Sequence, residues 1–376
     1  MHRSILLLAA LALAACSSSS APDDNASASP TAEATIAPAN AVAPGTPQAE
    51  LRTRTPPEPG ALKTFGDWAV GCDNSGACTM ASLGPEGGEF SAINLTLARD
   101  AGPAGAITVT LIPNDGLAPA SAPASVAIDG TAVPATFSRG AAPELSGGAA
   151  AGLAAAMANG RRLAIRGGDG RSLASLSLRG ASAALRYIDA QQGRAGTVTA
   201  VVAKGAAPAS NVPAGPALPQ IVTVEPAGKP FAPSAAMVAT MKRQAQCDDS
   251  AHGDLETHTI GADTSLILLP CSAGAYNLIS AVFVAKAGEV SPARMDAPSG
   301  FTEGDAPAAV PMVVNATYDK GVLTSFAEGR GLGDCGVRQN FVWDGGMFRL
   351  SRQEEMGECR GDPNYITTWV AKVVRR

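Results

Sequence analysis

From residue 61 onward, apolar residues alternate with polar or small ones in short runs, the two-residue period of strands that bury one face. In the run from Phe65 to Cys72, the residues Phe65, Trp68, Val70 and Cys72 stand among polar or small neighbours such as Asp67, and Asp73-Asn74-Ser75-Gly76 supplies turn chemistry before Cys78. This predicts a hairpin closed by its own disulfide. Further strands are predicted over 92–98, 106–112, 125–128 and 131–137, the last two joined by Asp129-Gly130, a type I′ turn signal. Two short helices, 149–158 and 181–191, are ended by Asn159-Gly160 and by Gly193. Between them, 163–166 and 173–178 flank Gly167-Gly168-Asp169-Gly170 as another hairpin, and a segment at 197–203 closes a first lobe, 61–203.

Residues 204–219 are Ala, Pro and Gly without periodicity, which reads as a linker. A second lobe, 220–376, opens with a helix over 233–246 that places Met237, Val238 and Met241 on one face. Strands follow at 265–269, 277–285, 310–318, 322–327, 340–343, 347–352 and 365–374, with Asp319-Lys320-Gly321 and Asp344-Gly345-Gly346 as turns. No βαβ rhythm emerges. The expected fold class is α+β: mainly antiparallel β-sheet in two lobes with a few short helices, disulfide-stapled.

The first residues break this pattern. Met1, His2 and Arg3 precede an apolar run, Ile5 to Ala15, that is shorter than the ~20 residues a membrane-spanning helix needs. It reads as a signal peptide, 1–15, and Leu13-Ala14-Ala15-Cys16 matches the bacterial lipobox, which makes Cys16 the expected lipidation site. Several acyl chains, each contributing ~0.8 kcal/mol per buried methylene, would anchor the chain to a membrane. Ser17 after the lipidated residue points to an outer-membrane lipoprotein of the bacterial cell envelope, facing the periplasm or the cell surface. Residues 16–60 are rich in Ser, Ala, Pro and Thr with almost no large apolar side chain, the composition of a disordered tether.

Export changes the reading of the cysteines. With Cys16 set aside, Cys72, Cys78, Cys247, Cys271, Cys335 and Cys359 form an even set bound for an oxidising compartment. Six cysteines allow 15 connectivities, but these fall into the local couples Cys72–Cys78, Cys247–Cys271 and Cys335–Cys359. No C-x-x-C is present, so a thiol oxidoreductase is disfavoured. Lys and Arg number 28 against 33 Asp and Glu, a balance that disfavours nucleic acid as a partner. Aromatics make up 4%, so large core residues are scarce and covalent cross-links matter more.

Several stretches carry a family resemblance. Phe65-Gly66-Asp67-Trp68 with Val70 and Cys72-Asp73-Asn74 resembles the start of the proteobacterial family known as domain of unknown function 1176. The segments Gly180-Ala181-Ser182-Ala183-Ala184-Leu185-Arg186 with Asp189, and Leu268-Leu269-Pro270-Cys271 with Gly274-Ala275-Tyr276-Asn277, are similar to the same family. So is Gly329 to Gly336 with Trp343-Asp344-Gly345 and Cys359-Arg360-Gly361. The opening motif is also similar to the invasion-associated locus B family of periplasmic proteins, within the first lobe. The resemblance implies an exported protein and supplies no catalytic residues. The lipobox and long tether depart from the simple signal peptide common in the family.

Candidate chemistry is sparse. Gly331, Gly333 and Gly336 fit a dinucleotide fingerprint by letters, but a strand is expected after them where the pyrophosphate site needs a helix N-terminus. His252 and His258 with Asp248, Asp249, Asp254 and Glu256 form the densest polar cluster, yet their spacing fits neither a zinc nor an EF-hand motif. A solvated acidic loop is the plainer reading. No metal or cofactor is therefore expected. Trp68, Trp343, Trp369, Phe341, Phe348 and Tyr365 could form an aromatic platform or fill a core. Arg330, Arg338, Arg349 and Arg360 could clamp an anion or line a solvated face. The candidate ligand platform is Trp343, Trp369, Arg330 and Arg349. The expected role is a non-catalytic binding or structural module of the envelope, with an envelope protein or the cell wall as partner. The alternatives are an envelope hydrolase, or an inhibitor of a basic cell-wall-degrading enzyme.

Overall fold

The computed structural model describes residues 55–86, 90–114, 123–248, 250–300 and 309–375. The expected signal peptide, Cys16, most of the expected tether and Asp249 lie outside the described residues. In chain order the first lobe contains β1 (Lys63–Phe65), β2 (Trp68–Cys72), β3 (Cys78–Ser82), β4 (Ile93–Arg99) and β5 (Ile107–Pro113). There follow β6 (Pro123–Ile128), β7 (Thr131–Val133), β8 (Glu144–Ser146), helix α1 (Gly147–Met157), β9 (Arg162–Gly167), β10 (Ser172–Ser177) and helix α2 (Ala181–Gln191). One antiparallel sheet has the order β1-β2-β3-β4-β5-β8 and a second the order β10-β9-β6-β7. The inward residues of both pack on the two helices, with Trp68, Met80, Leu95, Leu111, Leu153, Met157, Leu163 and Leu185 wholly buried. Helix α2 buries Ala181, Ala184, Leu185 and Ile188, the spacing of one helical face.

The local signals explain the hairpins. Asp129 and Gly130 both adopt positive φ, at 48° and 86°, the pair of conformations that a type I′ turn requires between β6 and β7. Asp73 folds the β2–β3 turn by accepting from the Ser75 and Ala77 N–H groups, and Cys72 and Cys78 are bonded directly across that hairpin.

Residues 197–203 contain no strand. The Asp189 carboxylate, wholly buried on α2, accepts the N–H groups of Val201, Val202 and Ala203 at 2.9, 2.8 and 3.0 Å. A backbone wrapped around a carboxylate cannot also run in a ladder. Arg99 lies 3.4 Å from the same carboxylate, and burial beside Arg194 brings the Arg99 guanidinium down to about 10. Residues 204–219 carry a single 3-10 turn, Ala209–Asn211.

The second lobe begins at β11 (Gln220–Thr223) and α3 (Ala235–Gln244), followed by β12 (Glu256–Gly261), β13 (Thr264–Ala273), β14 (Leu278–Lys286) and β15 (Glu289–Pro292). Next come β16 (Met312–Val314), β17 (Thr317–Asp319), β18 (Val322–Glu328), β19 (Gly336–Trp343), β20 (Phe348–Met356), β21 (Ile366–Val370) and β22 (Lys372–Arg375). One sheet runs β12-β13-β14-β15 with β16 also on β14, another runs β17-β18-β19-β20-β21, and β11 pairs with β22 in parallel. The single strand expected over 310–318 is two strands, interrupted where Asn315 takes φ 43° and gives its side chain to Leu278 N–H and the Phe326 carbonyl. Cys247–Cys271 ties the end of α3 to β13, and Cys335–Cys359 ties the entry of β19 to the loop after β20.

Residues 55–376 form one compact unit, in which the sheets of the first lobe meet those of the second at the loop after β20 and along β21. Arg360 donates to Asp67 at 2.6 Å, to the Gly66 carbonyl at 3.0 Å and to the Gly84 carbonyl at 2.7 Å, while its own carbonyl accepts from Gly84 N–H. Gly361 follows at φ +75°, and its lack of a side chain admits the Phe90 ring. Ala69, Ala81 and Leu83 of the first lobe share a small core with Cys335, Met356 and Ile366 of the second. Asn74 adds a reciprocal pair of hydrogen bonds to Val370, at 2.9 and 2.8 Å.

Breaking a buried ion pair strands its partner charge. Asp67→Ala, which removes the acceptor of both Arg179 and Arg360, is expected to cost about 3–5 kcal/mol of unfolding free energy. A urea titration reads the loss, and a cost below about 1 kcal/mol, the level of a surface pair, would show that the latch does not hold the lobes.

Candidate functional site

Asp67 stands at the turn between β1 and β2, where Gly66 at φ +60° brings the chain against the Arg179 carbonyl. Its carboxylate accepts Arg179 Nη2 at 2.8 Å and Nε at 3.2 Å as well as Arg360 Nη2. The Arg179 hydrogen bond, joined by Ser177 and Arg360, outweighs burial and holds the Asp67 carboxyl well below the usual carboxylate range. This group stays ionised and ion-paired across the physiological pH range, so it is no proton donor.

Beside it opens a cleft of about 640 Å³, in the size range of small-ligand sites. One wall is β10 and its flanks: Arg162, Ala174, Ser175, Leu176, Ser177 and Arg179. The other is formed by Asp67, Leu83 to Glu86, Phe90 to Ala92 and Asn94. The Trp68 indole closes the inner end of the β10 wall by donating Nε1–H to the Ser177 carbonyl at 3.1 Å. Phe90 is exposed at the rim, with the Arg330 guanidinium 5.6 Å from its ring centre. Arg162 bonds the Ser175 hydroxyl at 3.3 Å and is otherwise open to solvent.

Behind the Phe90 rim lies a buried polar knot. The Gly361 carbonyl accepts from Asn94 and Asn114, and Gly361 N–H donates to Asp334, which Arg330 also grips through two hydrogen bonds. Asp362 next to it is fully buried; Asn364 donates twice to its Oδ1, while Oδ2 has no partner among the described residues. Desolvation, with Asp334 adding to it, pushes the Asp362 carboxyl up to about 7.

The residues of the expected ligand platform do not converge. Trp343 is buried against Phe348, 5.1 Å between ring centres, and Trp369 packs on the same core while donating Nε1–H to the Leu350 carbonyl. Arg349 is held by Asp344 and Asp296. Arg330 precedes the Gly336 end of β19, whereas Trp343 ends that strand, so the strand alone separates them by roughly 20 Å. The other two arginines are divided as well: Arg338 lies over the Phe326 and Tyr365 rings, and Arg360 is in the interlobe latch. Each guanidinium has found a different internal partner.

The histidine-rich segment is mostly loop, with His252 and Asp254 exposed, and enters a strand only at Glu256. Glu256 and His258 lie on β12, with His258 3.1 Å from the Glu256 carboxylate and its ring 4.9 Å from that of Tyr318. Asp248 caps Ser250, which lowers its carboxyl. Among the described residues, no group of three or more His, Cys, Asp or Glu is arranged to hold a metal ion. Arg162, Ser175, Arg179 and Phe90 were missed by motif reading. The available signal was charge: residues 161–179 contain five arginines and one aspartate in a chain of net charge −5.

Residues 62–372 match the family model described as "Protein of unknown function (DUF1176)". The chain belongs to this family. The DUF1176 match takes in both walls of the cleft, the Asp67–Arg360 latch and all three cystines. The uncharacterised protein YpfG of Escherichia coli (strain K12) is 28% identical over 348 residues, which cover 83% of this chain and 93% of that protein. Among solved structures, the invasion associated protein B of Bartonella henselae aligns at 17% identity with a TM-score of 0.26, over 35% of this chain and 99% of its own.

A folded-state carboxyl at about 7, against 3.8 when unfolded, means that the native protein keeps a proton which the unfolded chain has released. The contribution of Asp362 is therefore fully present below about 4 and is lost as pH rises to about 7. Asp362→Asn keeps the neutral shape and is expected to flatten this decline and raise stability above neutrality, as read from urea unfolding across that window. An unchanged profile would show that Asp362 does not titrate there.

Proposed function

We propose that the protein is a lipid-anchored module of the bacterial cell envelope that binds a partner without catalysis, with the cleft beside β10 as its contact site. The observation that carries the contact site is the cleft itself: it is open, rimmed by the exposed Phe90 and Arg162, and its one deeply set carboxylate, Asp67, is fully engaged by two arginines. A cavity whose carboxylate is already ion-paired and whose rim is exposed is suited to recognition, whereas general acid–base work requires a group titrating near the operating pH and within reach of substrate. Asp362 titrates near neutrality but is wholly buried behind the rim.

The anchor rests on Leu13-Ala14-Ala15-Cys16, and export agrees with the three cystines. On this reading the tether lets the folded body reach partners away from the lipid surface, and Ser17 directs it to the outer membrane.

Metabolic labelling with a fatty acid is expected to mark the wild-type chain, recovered with outer membranes, and to leave Cys16→Ala unlabelled; label retained by that variant would end the anchor. For the cleft, a photo-cross-linking residue at Ala174 in intact cells is expected to form adducts that Arg162→Glu diminishes and that the same probe at Glu289 does not form. Equal adducts at both positions, or none at Ala174, would remove the cleft as the contact site.

A further inference from the structure

β10 is the edge of its sheet, hydrogen-bonded on one side to β9 and on the other to no strand among the described residues. In an antiparallel pair, alternate residues turn their N–H and C=O toward the partner and the rest turn them away. Leu178 N–H bonds back to Arg161, on the β9 side, while the Ser177 carbonyl points the other way and meets Trp68. By the same alternation, Leu176 and Ala174 face β9, and Ser175 presents its N–H and C=O into the cleft. Among the described residues the Ser175 backbone has no partner on that side.

Exposed edges are ordinarily blunted by charge, proline or a bulge. β10 reads Ser-Leu-Ala-Ser-Leu-Ser, with neither charge nor proline. Its one irregularity falls between Ser172 and Ala174, leaving Ala174 to Ser177 in regular register. The cleft lies alongside this edge, in the position a further strand would occupy at about 4.8 Å.

The two faces of such a strand would meet different surroundings. On the outward face, Ser175 and Ser177 are exposed and small, and Arg162 of β9 already reaches across to the Ser175 hydroxyl at 3.3 Å. One strand spacing further, that guanidinium meets a carboxylate on an incoming strand, with Arg166 and Arg171 exposed on the same hairpin. On the inward face, Leu83, Leu176 and Phe90 offer apolar contact. A peptide that alternates acidic and apolar residues satisfies both faces and the free backbone groups at once.

We propose that β10 accepts an extended peptide segment of a partner protein as an added strand, with acidic side chains toward Arg162 and apolar ones toward Leu176 and Phe90. This rests on the cleft being the contact site. Backbone hydrogen bonds provide the affinity and the alternation of side chains the specificity.

The test is fluorescence anisotropy of a labelled peptide of repeating Glu-Val, against the same length of Lys-Val, on the full mature chain. Glu-Val is expected to bind about tenfold more tightly, a difference of roughly 1.4 kcal/mol, and to weaken with salt. Ser175→Pro deletes the outward N–H at an edge position and is expected to reduce binding about tenfold while Ser175→Ala retains it. If Ser175→Pro does not fold, Arg162→Glu at the exposed position provides the second reading and is expected to remove the preference for Glu-Val. Absence of Glu-Val binding, or equal binding by folded Ser175→Pro, overturns the added strand. If adducts still form at Ala174 in that case, the contact site stands and strand addition alone is lost; if both fail, both readings fall.

Discussion

Arg360 is the residue on which the arrangement of this molecule turns. Its guanidinium reaches from the second lobe to Asp67 and to the Gly66 and Gly84 carbonyls of the first, so one side chain satisfies three acceptors at the lobe boundary. Few large apolar side chains are available to a chain with 4% aromatics, and the shared core between the lobes is small. A charge-assisted network with defined geometry then does what a broad hydrophobic seam does elsewhere, and it does so directionally: it fixes where Gly84 to Glu86 and Phe90 stand.

That constraint shapes the cleft. Asp67 receives Arg360 on one side and Arg179 on the other, and Arg179 directly follows β10. The carboxylate therefore sets the spacing between the β10 edge and the opposite wall. Gly361, one residue beyond Arg360, seats Phe90 at the rim and delivers its carbonyl to Asn94 and Asn114. Asp362 adds a buried carboxyl to the same loop, pushed up to about 7 by desolvation.

The cystines act locally within this framework. Cys72–Cys78 closes a hairpin, Cys247–Cys271 holds α3 on β13, and Cys335–Cys359 supports the loop that carries Arg360. None joins the two lobes to one another. The lobe contact is non-covalent, and its polar part is carried by Arg360 on Asp67, Gly66 and Gly84, by Asn74 on Val370, and by Asn94 and Asn114 on the Gly361 carbonyl.

The antiparallel α+β class, the helix at 181–191, the Asp129-Gly130 hairpin and the existence of the cystines were legible in the residues, because alternation, turn chemistry and cysteine spacing are local properties. Strand ends were less so: 310–318 is interrupted by the Asn315 side-chain bonds. Which arginines remain open was decided by tertiary structure alone. Arg330, Arg349, Arg360 and Arg162 carry the same guanidinium, but each of the first three meets a carboxylate in the folded protein, while Arg162 meets a serine hydroxyl at the rim of the cleft. A sequence specifies which groups carry charge and which faces are apolar; whether a charge is neutralised internally or left to a partner depends on which distant residue the fold places within about 3 Å of it.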